Sequence, residues 1–109
     1  AQFVAHLGEH AAHAAAKTLR QVQASRASLY DLEAELKTVR APTLLLVGDE
    51  DEPCLKPSLF MKQHIRSSGL AILPVTGHTL NLEEPDLLHV LTEDFFALVE
   101  SGRWRPAAP

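Results

Sequence analysis

The run Thr43-Leu44-Leu45-Leu46-Val47 constrains this chain more than any other feature. It is unbroken apolar sequence, opened by Pro42 and closed by Gly48. A strand with one wet face alternates apolar and polar residues. A run without alternation fits a strand covered on both faces, as inside a parallel sheet. Such a strand needs a neighbour on each edge, and the chain offers one, Leu70-Ala71-Ile72-Leu73. There Pro74 removes a ladder donor and marks an edge or an end. Between the two lies a helical segment, Ser58–Ser67, which follows Pro57 and is ended by Gly69. Strand–helix–strand order predicts a right-handed crossover and parallel strands. Two strands alone leave open edges and are marginal in water. The expected fold class is α/β, with two parallel strands and helices. Its sheet is completed by another chain or by a missing segment.

Helices are expected on both sides of this unit. Residues 1–40 lack proline and are rich in Ala, Leu, Gln, Glu, Lys and Arg, which fits helices over Val4–Gln23 and Ser28–Lys37. Ser28 can cap the second, with Asp31 as its capping-box partner and Leu29, Leu32, Leu36 and Val39 on one face. Glu84-Pro85-Asp86 opens the last helix, with proline at its first position and carboxylates near the positive end of the dipole. Leu87, Leu91, Phe95, Leu98 and Val99 form its apolar stripe, and Gly102 ends it. Three stretches follow: a helical segment over 1–40, a β-α-β-α core over 41–102 and a tail over 103–109. Charge divides at the same place, with a net of +1 over residues 1–40 and −5 over 41–109.

Composition removes several function classes. A chain of 109 residues is one domain's worth. With a net charge of −4 and no basic run it is a poor binder of phosphate backbones, so nucleic acid is not an expected partner. No apolar stretch reaches the roughly 20 residues of a membrane span, and no signal peptide opens the chain, so a membrane is not expected either. The single cysteine, Cys54, excludes an internal disulfide and a four-cysteine zinc site. The compartment expected is reducing and cytoplasmic.

Two segments carry the residue types of catalysis. Gly48-Asp49-Glu50-Asp51-Glu52-Pro53 follows the carboxyl end of the first strand, and Thr76-Gly77-His78 follows that of the second. Ligands and reactive groups collect at such strand ends. A carboxylate that accepts one ring N–H of a histidine fixes its tautomer and leaves the other nitrogen free as a base. Asp51 and Asp49 both compete for the acid role. Glu83 and Glu84 read as capping groups at the start of the last helix. Cys54 reads as a small thiol whose pKa the neighbouring Asp51 would raise. His6, His10 and His13 share one helix face with Glu9 close by. That spacing can hold a divalent metal. With no further ligand set in view, a solvated face is the reading preferred, and no metal site is assigned.

The stretches Ala41–Asp51 and Gly77–Pro85 resemble the α/β-hydrolase superfamily. There a strand of the type Pro-Thr-Leu-Leu-Leu-Val-Gly-Asp-x-Asp ends on the triad acid, and a Gly-His loop before Glu-Glu-Pro carries the triad histidine. The resemblance spans about residues 28–102. It implies that Asp51 is the triad acid and His78 the general base, 27 positions apart and in the family's order. It also implies a relay without metal or organic cofactor acting on a small-molecule ester, lactone or related bond. Residues 1–27 are similar to the end of a cap region. The placement of the acid is more similar to esterases, cofactor-free haloperoxidases and carbon–carbon bond hydrolases than to dehalogenases.

The family's Gly-x-Ser-x-Gly elbow is absent: Ser25, Ser28, Ser58, Ser67, Ser68 and Ser101 all lack that flank. A base and its orienting acid without nucleophile or oxyanion donors do not complete acyl transfer. The resemblance therefore implies the carboxyl-terminal part of a hydrolase, inactive alone and completed by a missing amino-terminal segment. A second reading is a non-catalytic domain that closes its sheet by self-association into a homodimer. A third is a metal-binding helical module built on His6, His10 and His13.

Overall fold

In a computed structural model, residues 11–17, 21 and 27–107 are described. Residues 11–17 are helical, inside the expected first helix; His6 and His10 lie outside the described residues, and His13 is exposed. A 3-10 turn, Leu29–Leu32, then runs into a short helix α1, Glu33–Leu36. The capping box forms as expected. The Ser28 hydroxyl accepts from the Tyr30 amide at 3.3 Å, and Asp31 accepts from the Ser28 amide at 3.3 Å. The core follows: β1 (Thr43–Gly48), α2 (Glu52–His64), β2 (Ser68–Leu73), a one-turn helix α3 (Leu80–Glu83) and α4 (Pro85–Glu100).

β1 and β2 pair in parallel, from Thr43 opposite Ser68 to Gly48 opposite Leu73. The fold is α/β, with two parallel strands, flanking helices and an open sheet. Crossover helix α2 packs on both strands. Among the described residues, Val47, Ile65 and Leu73 are the buried apolar side chains, with Ser58, Ser68 and Thr76 as buried polar ones. Leu44, Leu45 and Leu46 are half-buried, and no described residue pairs with the outer edge of β1. Pro74 ends β2 as expected, and the chain turns through Val75 at a φ of 49°.

Both ends of the crossover helix and the start of β2, at Ser68 rather than Leu70, differ from expectation. The crossover helix begins at Glu52, six residues before Ser58, and takes in both Pro53 and Pro57. Pro53 sits in the first turn, where its missing N–H costs no helical bond. Pro57 lies one turn further on, and the carbonyl it leaves without a partner is that of Pro53, which is exposed to water. The helix ends at His64, and extended Ile65 turns into the core. Gly69 is therefore no helix cap. It lies within β2, where the Trp104 ring covers the space a side chain would fill.

Trp104 also donates its indole N–H to the Ser67 carbonyl at 2.7 Å and meets Phe95 edge-on at 4.8 Å. The stripe of α4 thus docks beside the start of β2, although none of its residues is fully buried. Glu33 is tied to α2 as well, 2.7 Å from His64 Nε2, while His64 Nδ1 lies 2.7 Å from the Phe60 carbonyl.

The small core makes stability depend on few side chains. Leu73 is 1% exposed, and truncating it to alanine is expected to cost about 2–5 kcal/mol in urea titration. Leu82 is 75% exposed, and the same change there should stay within about 0.5 kcal/mol.

Candidate active site

The loops after β1 and β2 are fastened to each other before any reactive group is placed. The Asp49 amide donates to the Leu73 carbonyl at 2.9 Å, and the Glu50 amide donates to the Thr76 carbonyl at 2.9 Å. The Thr76 amide returns a bond to Asp49 Oδ1 at 3.2 Å. Gly48 makes this approach possible, since a Cβ there would overlap the carbonyl oxygens of Thr76 and Gly77. The geometry separates the two competing acids. Asp49 braces the turn after β2, and Asp51 faces the histidine.

Asp51 Oδ2 lies 2.7 Å from His78 Nδ1. Asp51 occupies the N-cap of α2, where a carboxylate ordinarily accepts from the helix's first amides, yet it makes no such bond. Its carboxylate is turned to His78 instead. Only 10% of the Asp51 side chain is exposed, against 77% for His78, so the acid is sheltered while the ring stays open. With Asp51 ionised, Nδ1 carries the shared proton and Nε2 keeps its lone pair. The hydrogen bond from His78 holds the Asp51 carboxyl below its ordinary value, helped by Cys54 and the histidine charge and opposed by burial.

Cys54 stands in the first turn of α2, its sulfur 3.8 Å from His78 Nδ1. Hydrogen bonding to Asp51 raises its pKa, as the sequence led us to expect, and burial adds to the rise. The thiol lies on the nitrogen that Asp51 already holds. It is neither at the free Nε2 nor biased toward thiolate, so it lacks the setting of a cysteine nucleophile. A cavity of about 230 Å³ opens beside these groups, lined by Leu46, Val47, Cys54, Met61 and Leu80 together with the Asp51–His78 pair.

Sequence reasoning missed the part played by Glu83. Rather than capping the last helix, it accepts from the Gly77 amide at 3.0 Å and from the Thr79 hydroxyl at 3.1 Å. It grips the loop on both sides of His78. The signal was available in the five-residue spacing to His78, which lets a one-turn helix fold the carboxylate back.

An α/β unit with an acid and a histidine at the ends of adjacent parallel strands has a counterpart among enzymes of the α/β-hydrolase fold. The chain is similar to one such enzyme, MenH from S. aureus, with 32% identity over 63% of this chain and a TM-score of 0.58. That likeness supports an α/β-hydrolase-like relationship. The matched part covers 25% of the MenH chain. No protein-family model and no curated protein matches this sequence.

The lowered Asp51 pKa carries a sign for stability. What the ionised carboxylate contributes is full above its ordinary value of 3.8 and drains as the pH falls from there through the lower native value. The margin of the native protein over Asp51→Asn should shrink across that window in urea midpoints. His78→Ala should return the Asp51 carboxyl to its ordinary range in carbon-13 NMR titration.

Proposed function

We propose that the chain supplies the acid and base of an α/β-hydrolase-like active site as the carboxyl-terminal part of a larger enzyme. Asp51 orients His78, and His78 takes the proton from a serine nucleophile through its free Nε2. The observation that carries this reading is the 2.7 Å contact between Asp51 and His78 across the paired strand ends. Two further facts support it: the cavity beside the pair, and the likeness to a quarter of MenH. The nucleophile and the oxyanion donors come from the segment that completes the sheet along the outer edge of β1. The residues 1–40 then belong to the end of a cap over the site, and the substrate is a small molecule with an ester, lactone or related bond.

The open β1 edge also supports the alternative, a homodimer in which β1 pairs across two copies. Sedimentation velocity separates the two, because the hydrolase reading expects a monomer of 11.9 kDa.

On this account the isolated chain takes no stoichiometric label from a fluorophosphonate probe, read by intact mass. Grafted in place of the matched quarter of MenH, residues 41–102 should sustain labelling that falls by about 10³-fold or more in His78→Ala. Stoichiometric labelling of the isolated chain, or a graft indifferent to His78→Ala, contradicts the proposal.

A further inference from the structure

We propose that Asp51, Cys54 and His78 form a binding site for zinc or a similar borderline-soft divalent cation, with three protein donors and one open position. The inference rests on the geometry of the three side chains and stands apart from the hydrolytic reading. The donors come from three elements: the loop after β1, the first turn of α2 and the loop after β2. One carboxylate oxygen, the thiol sulfur and a ring nitrogen all lie within 4.8 Å of one another. The sulfur-to-nitrogen distance is 3.8 Å and the nitrogen-to-oxygen distance 2.7 Å. A tetrahedral zinc with its usual bond lengths spaces its donors about 3.3–3.6 Å apart. The sulfur is already close to that spacing from the histidine nitrogen, and it lies within 4.8 Å of the carboxylate oxygen. The histidine must move back from Asp51 by less than about 1 Å, and its ring, 77% exposed, is free to do so.

Charge and donor chemistry agree. Asp49, Glu50, Asp51 and Glu52 are consecutive, and Lys56 is the first basic residue after them. A thiolate–imidazole–carboxylate set favours zinc-like ions over magnesium or calcium, which take oxygen alone. Binding releases the Cys54 proton to solvent, and the cation then offsets the carboxylate that keeps the thiol protonated. Three protein donors leave the fourth position to water. The cation would take His78 Nδ1, the atom that otherwise donates to Asp51. Cation-bound and hydrogen-bonded states of the pair therefore exclude each other, and an occupied site holds the histidine away from its acid.

Cobalt(II) titration of the full chain tests this, since a thiolate ligand gives a sulfur-to-metal charge-transfer band that histidine ligands cannot produce. The band therefore ignores any cation on the face of His6, His10 and His13. The expected result is one band per chain, displaced by zinc, absent in Cys54→Ser and shifted to about tenfold or more weaker binding in His78→Gln and in Asp51→Asn. No band with the native chain in excess cobalt, a stoichiometry of one cobalt per two chains, or a midpoint that moves less than tenfold in either variant overturns the proposal. The native chain alone gives the first two results, so a variant that fails to fold does not rescue it.

Discussion

The close contact between the loops after β1 and β2 is the constraint on which the rest of the site depends. Parallel pairing brings both carboxyl ends to the same edge of the sheet, with Gly48 opposite Leu73. The absence of a side chain at Gly48 then lets the Thr76 and Gly77 carbonyls approach. Once the strand ends are this near, three hydrogen bonds lock the loops, and a residue three positions past Gly48 reaches one that is five past Leu73. Any larger residue at position 48 would separate the acid from the histidine.

Local preferences give way at the site. A helix that starts on aspartate normally spends that carboxylate on its own amides; α2 leaves them uncapped and turns Asp51 toward His78. Glu83 makes a similar exchange, holding the histidine loop instead of the helix beside it. Two carboxylates thus work across elements: one sets the tautomer of the histidine, and the other sets the path of its backbone. Cys54 stands at the same spot with a raised pKa, which disfavours the thiolate that a nucleophile needs.

Much of this was legible before the fold was known. The unalternating run at Thr43–Val47 and the turn signals around it gave the strand, its parallel partner and the open sheet. At the strand ends the residues left Asp49 and Asp51 competing for the acid role; the resemblance pointed to Asp51 with His78, and those two side chains lie 2.7 Å apart. The start of α2 was not legible, because two prolines within five residues normally argue against a helix. Here the first falls in the opening turn, and the second strands only the carbonyl of Pro53, an exposed residue. Gly69 misled in the opposite direction: glycine after a helical pattern suggests a cap, whereas this one makes room for Trp104 from far along the chain. Long-range contacts of this kind leave no local periodicity to read. The role of Glu83 was hidden by its place beside a helix start, where a capping carboxylate is the ordinary expectation.

The central claim is that Asp51 fixes the His78 ring with its proton on Nδ1 and leaves Nε2 as a base. Long-range nitrogen-15 NMR of the histidine rings, at a pH where His78 is neutral, reads that tautomer directly. The account predicts a protonated Nδ1 and a bare Nε2 for His78, with the preference lost in Asp51→Asn. A proton on Nε2 in the native chain, or a tautomer unchanged by Asp51→Asn, would contradict it.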